Sequence, residues 1–173
     1  MASSFMNKSL QYGLLFGLLY VAYSLYAYLF DLELFANFIA GIVIWVIGVV
    51  VLVLAVREVR KLQGGAITFR TAFATFIVAA LAGLLINLVF TQILFGLVDP
   101  EAAERVNEIV TNQAYQNMKR FGAGDEQISE AMKEMENNNQ FDLVSQLRGL
   151  LFGGLFYAVI GLIVAAIMKR SEP

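Results

Sequence analysis

Cysteine and histidine are absent from the 173 residues, proline occurs twice and tryptophan once. Without thiols or imidazoles the chain can build no disulfide, no cysteine nucleophile, no histidine base and no histidine ligand for haem or zinc. Charge is scarce as well: Asp, Glu, Lys and Arg make up 15% of the chain, against 59% hydrophobic residues and a mean hydropathy of +0.70. A soluble domain does not carry that balance. Serine chemistry fares no better, because Ser9, Ser24 and Ser145 have no imidazole to activate them and every lysine lies outside the apolar runs. No enzymatic activity, cofactor or metal site is expected.

What the chain does have is four long uncharged stretches. Leu10 to Phe30 holds 21 residues without a charge, which at the helical rise span about 31 Å, the thickness of a bilayer's hydrocarbon. That run is longer than the core of a signal peptide and ends without a small-residue cleavage pattern, so the helix is expected to stay. Asp31 to Glu33 is room only for a turn, and residues 34–56 are again uncharged. The first two spans therefore form a helical hairpin, with Tyr20, Tyr23, Tyr26, Tyr28, Phe30, Phe35 and Phe38 near its tip at headgroup depth. The third span runs over residues 70–98 and the fourth over 143–168.

Between spans two and three lies the stretch that orients the rest. Arg57, Arg60, Lys61 and Arg70 stand against the single Glu58, so this connector belongs in water at a membrane surface. Gly64 and Gly65 supply a hinge inside it, and Thr68 is placed to cap the next helix. Residues 1–9, 57–70 and 169–173 carry seven bases, including Lys169 and Arg170, against two acids; residues 31–33 and 99–148 carry five bases against twelve acids. The positive-inside rule then puts both termini and the Gly-Gly connector in the cytoplasm and residues 99–142 outside.

That outer segment reads as two amphipathic helices. Asp99 and Pro100 are a cap and a first-turn proline, with Val106, Ile109 and Val110 on one face of a helix to about Arg120. Phe121 to Gly124 breaks it, and a shorter helix follows from Asp125 to about Glu136 with Ile128, Met132 and Met135 together. The apolar stripes need covering, by each other, by membrane lipid, or by a membrane or periplasmic protein. The acidic surface makes nucleic acid an unexpected partner, and homo-oligomerisation is left open.

Inside the spans, Asn87, Thr91 and Gln92 are the polar group that matters. An amide in hydrocarbon is costly unless bonded, so all three are expected to face other helices and serve as interhelical contacts. The same residues would line the route in the alternative reading, a small transporter or channel. Gly13-Leu-Leu-Phe-Gly17 and Gly149-Leu-Leu-Phe-Gly153 share a small-xxx-small pattern that lets helices approach closely.

Tyr12 to Gly17, Gly64 to Phe69 followed by Ala72-Phe73, Val98 to Glu101, and Ile163 to Ile167 before Lys169-Arg170 occur in an order that resembles an uncharacterised family of four-helix membrane proteins from Bacteroidota, a domain of unknown function. The resemblance implies an inner-membrane location and supplies no reaction or substrate. The expectation is thus an all-α membrane protein, a four-helix antiparallel bundle with an extracytoplasmic acidic hairpin between spans three and four, acting as a non-catalytic accessory or interaction subunit.

Overall fold

The computed structural model describes residues 2–137 and 139–169, with side chains described over 5–135 and 139–169; Arg170 lies outside the described residues. Six α-helices are present among the described residues: α1 (Ala2–Phe30), α2 (Phe38–Leu62), α3 (Phe69–Ile93), α4 (Pro100–Arg120), α5 (Asp125–Asn137) and α6 (Leu143–Met168). Four stretches are long and apolar enough to cross a membrane by length and composition: Phe5–Phe30, Phe38–Leu62, Phe69–Val98 and Leu143–Met168. They mark a multi-pass membrane protein.

The ends of these helices differ from the expected ones for identifiable reasons. α1 starts well before residue 10, because Ser9 is no breaker here: its hydroxyl donates to Phe5 O at 3.0 Å within the helix. The turn after α1 is longer than three residues. Asp31 accepts from Glu33 N at 3.0 Å and opens a 3-10 turn over Leu32–Phe35, and Asn37 then caps α2 by accepting from Ala40 N at 3.0 Å, so α2 begins at Phe38 rather than 34. At its other end α2 carries the basic connector's first charges on helical backbone as far as Leu62. Gly64 and Gly65 come next with φ of +75° and +95°, a left-handed conformation open to glycine, and Gly65 N closes the end on Arg60 O at 3.0 Å. Thr68 caps α3 through Thr71 N.

α3 does not run straight to its exit. After Ile93 the backbone widens into a π-helical turn over Leu94–Val98, which Asp99 N closes on Leu94 O at 2.8 Å. That widening turns both Leu94 and Phe95 inward.

The core is organised around α3. Along α1 and α3 the partners advance together, Gly13 with Ala79 and Ala82, then Gly17 with Gly83 and Ile86, so these two helices run the same way. A Cβ on Gly13 would stand 2.8 Å from Ala79 O, and one on Gly83 would collide with the Phe16 ring. Along α3 and α6 the order is opposite, from Phe76 at Gly161 through Leu81 at Gly154 to Thr91 at Gln146. Phe16, Leu52, Val56, Phe76 and Ala79 are fully buried where α1, α2 and α3 meet. The two Gly-xxx-Gly strings therefore have different fates: Gly13 and Gly17 are contact points, whereas a Cβ on Gly149 or Gly153 would meet nothing within 4 Å.

α4 does not stand free. Ala102, Ala103 and Val106 are buried against Leu94 and Phe95, with Tyr28, Leu32, Phe35 and Phe141 around them. The stripe expected to need a cover finds much of it in the end of the helix bundle.

Candidate functional site

Where α1, α2, α3 and α6 separate toward the α4 end, they leave a partly open cavity of about 800 Å³. Each helix lines it with one face: Tyr20, Tyr23 and Ser24 from α1; Gly41 and Trp45, below the cap residue Asn37, from α2; Asn87 and Thr91 from α3; Ser145, Gln146 and Gly149 from α6. Spacings of three and four residues put these groups on single faces. Gly41 and Gly149 leave the volume open, since a Cβ on either would touch nothing within 4 Å. α2 and α6 meet beside it through Trp45 and Phe156, ring centroids 5.8 Å apart. Tyr20 on its wall leads to Tyr157, whose ring meets Phe16 edge to face at 5.5 Å.

Part of the polar lining is already bonded. The hydroxyls of Tyr20 and Tyr157 lie 3.1 Å apart, and Tyr23 donates to Leu34 O at 2.7 Å. Thr91 is buried, and its hydroxyl has three acceptors at 3.0 Å: Asn87 O and Leu88 O of its own helix and Gln146 Oε1 of α6. Gln92 Nε2 donates to Phe141 O at 2.8 Å, tying α3 to the segment entering α6. Two atoms are left over. Trp45 Nε1 and Asn87 Oδ1 are buried and have no hydrogen-bond partner among the described residues. Of the three polar residues singled out from sequence, Thr91 and Gln92 bond across to another segment, while Asn87 sits on the cavity wall with an unused acceptor.

A second constellation stands at the start of α4. Asp99 accepts from Ala102 N at 2.9 Å as the cap, from Tyr28 Oη at 3.0 Å, and faces Arg105 Nη2 at 3.6 Å. The Ala102 N–H holds its carboxyl below the usual carboxylate range; partial desolvation opposes this, and the Tyr28 hydroxyl and Arg105 guanidinium add to it. Glu101 reaches Arg105 Nη1 only at 4.0 Å and is largely exposed. Beyond Val110, α4 diverges from α2 and leaves an apolar groove of about 590 Å³ lined by Phe35, Phe38, Ile42, Trp45, Val110 and Phe156.

Residues 11–170 match the family described as "Protein of unknown function (DUF4199)". The chain belongs to that family. No curated protein and no solved structure matches it. The DUF4199 match takes in all of α2 to α6 and α1 from residue 11 onward, so the cavity and the Asp99 cluster both lie within the family's extent.

The remaining residues singled out from sequence lie at the opposite end of the bundle from the cavity. Arg57, Lys61, Arg70 and Lys169 are exposed there, Lys61 pairs with Glu58, and Arg60 Nε donates to Gly65 O at 2.8 Å across the hinge. Sequence reasoning missed Trp45, Tyr20, Tyr23 and Ser24 as cavity groups, reading the tyrosines as an interfacial belt. The signal was there: Tyr20 with Ser24, Asn37 with Gly41 and Trp45, and Asn87 with Thr91 all repeat at helical spacing.

Proposed function

We propose that this chain is a non-catalytic inner-membrane protein of the Bacteroidota type it resembles, an accessory or interaction subunit that presents the acidic α4–α5 segment to a partner. The spans form an antiparallel bundle with both termini and the Gly64–Gly65 hinge in the cytoplasm and α4–α5 outside. The uneven distribution of lysine and arginine supports this orientation. The observation that carries the function is the docking of α4. Asp99, Tyr28 and Arg105 fasten its first turn to the bundle, and Ala102, Ala103 and Val106 are buried against it, while Glu104 and Glu108 on the same helix and Glu126 and Glu130 on α5 remain exposed. A rigidly held helix with an acidic outer face is a preorganised surface for a basic partner, since little ordering is left to be done on binding.

The filled interior supports this reading over a polar conduit along Asn87, Thr91 and Gln92. Thr91 and Gln92 already use their side chains to hold α3 to Gln146 and Phe141, and Phe16, Phe76 and Tyr157 are buried together in the core. Cross-linking in the native membrane, with and without reversal of Glu104, Glu108, Glu126 and Glu130 to lysine, tests the proposal. Loss of a specific cross-linked species from the reversed protein, at unchanged membrane insertion, is the expected result. An identical cross-linking pattern for the two proteins refutes it.

A further inference from the structure

α4 is docked on the bundle through its first half, and its second half has a face of its own. At about 100° per residue, Glu101, Glu104 and Glu108 fall on one side of the helix, while Val110, Gln113, Asn117 and Arg120 fall on the other, Arg120 about 160° round from Glu104. Residues 109–121 contain no acid, although three acids precede them in α4 and Asp125 and Glu126 follow. Val110, Gln113 and Asn117 line the apolar groove with α2, so the acids of α4 are on the side turned away from that helix.

The face turned toward α2 borders a bilayer-spanning segment. The groove reaches Ile42 and Trp45, one and two turns into α2, so the overhanging half of α4 stands beside the first turns of the span Phe38–Leu62 and not beyond them. Asn37, Phe38, Gln113 and Asn117 also line a second, more polar cleft of about 830 Å³, to which α4 adds Arg120 and its C-cap neighbour Phe121, and the α2 side adds Glu33 and Ile39.

Three apolar side chains around this cleft are bare: Phe38 is 77% exposed, Ile39 73% and Phe121 86%. Phe38 and Ile39 open the span, where lipid covers them at the edge of the hydrocarbon. Phe121 borders the same cleft and so reaches the same layer. Arg120 is exposed and makes no ion pair, even with Glu33 of the same lining. A guanidinium next to an exposed aromatic suits headgroup depth, because the cation meets phosphate oxygens in a fork and the ring lies among glycerol and the upper acyl chain.

We propose that the far end of α4 is a membrane-surface anchor. Arg120 binds the phosphate of a bilayer phospholipid, Phe121 enters the headgroup layer, and acyl chains fill the groove along Val110 and Ile42. α4 is thereby held at both ends, by Asp99 on the bundle and by Arg120 and Phe121 on lipid, with its acidic side left in water. This holds whether or not that acidic side meets a protein partner.

Trp45 is the single tryptophan of the chain, so Trp45→Phe combined with Phe121→Trp places one indole at the anchor and keeps an aromatic ring there. The protein is reconstituted in phosphatidylcholine nanodiscs, and quenching by bromine on the upper acyl chain is compared with quenching by aqueous acrylamide. The reference is Ser129→Trp in the same background, on an exposed position of α5. The indole at 121 is expected to be quenched several-fold more by bromine and several-fold less by acrylamide than the one at 129. Adding Arg120→Glu should move it toward the values at 129, and Arg120→Lys should not. If Trp45→Phe does not fold, a nitroxide on Phe121→Cys of the cysteine-free chain reads the same depth through collisions with a water-soluble nickel chelate. Acrylamide quenching at 121 equal to that at 129 overturns the proposal. So does an indole shielded from both quenchers, which would mean that protein covers it. An unchanged depth in Arg120→Glu overturns the phosphate assignment.

Discussion

Tyr28 Oη donates to Asp99 Oδ2 at 3.0 Å, linking the last turn of α1 to the residue that opens α4 across 71 positions of chain. Asp99 is at once the α4 cap, through Ala102 N, and the anion facing Arg105. Asp99→Ala removes all three interactions, Asp99→Asn keeps a cap acceptor and loses the charge, and Tyr28→Phe removes one bond. Hydrogen exchange of the amides in the first two turns of α4 is expected to quicken in the order Tyr28→Phe, Asp99→Asn, Asp99→Ala, several-fold for the last. Unchanged exchange in Asp99→Ala would show that the apolar contacts of Val106 alone hold α4.

Acid should reach the same joint. Asp99 has a carboxyl whose proton affinity is lowered in the folded protein. The released state binds a proton more readily, so the stabilisation is full above the ordinary carboxylate range and is lost as pH falls through the lowered folded value. Protection of the α4 amides is expected to decline on acidification into that range, and Asp99→Asn should flatten the dependence. A decline of the same size in Asp99→Asn would assign it to other acids.

The crossing of α1 and α3 is set by the absence of side chains. A Cβ on Gly17 would fall 2.8 Å from Ile86 Cβ, and at Gly83 it would strike Phe16. Gly83→Val is expected to destabilise the protein by about 1–3 kcal/mol or more, as overpacking does, whereas Gly153→Ala, which faces open space, should be near neutral. Unfolding in a graded detergent mixture reads both. A neutral Gly83→Val would contradict the close approach.

Thr91 and Gln146 join α3 to α6 at 3.0 Å. Interhelical hydrogen bonds in membranes average about 0.6 kcal/mol, because the separated helices also find partners. A double-mutant cycle of Thr91→Val and Gln146→Leu should return a coupling of that order. Zero coupling would mean that the Thr91 proton stays with Asn87 O or Leu88 O of its own helix.

The spans are legible in sequence because a bilayer demands unbroken apolar length, and a single aspartate or arginine marks where it stops. Caps at Thr68 and Asp99 and the break after Arg120 are legible for a similar reason, since each rests on one residue's local chemistry. What sequence does not carry is which face of each greasy helix turns inward. Gly13 and Gly149 head identical pentapeptides, yet one is pressed against Ala79 and the other borders empty space, a difference made by neighbours far along the chain. The burial of Trp45 Nε1 and Asn87 Oδ1 has the same origin: it depends on how neighbouring helices pack around them, which periodicity alone does not draw.

The widened turn at Leu94–Val98 makes the length of this segment matter as much as its composition. Relative to ordinary winding it holds one surplus position, and each position in a helix rotates the downstream chain by about 100°. Deleting Gly96 or Leu97 would let the coil relax into regular form without removing Leu94 or Phe95. Yet it would turn Asp99, and with it the start of α4, about the axis of α3 and away from Tyr28. The number of residues in this stretch is therefore as much a part of the α4 joint as the apolar side chains of Leu94 and Phe95.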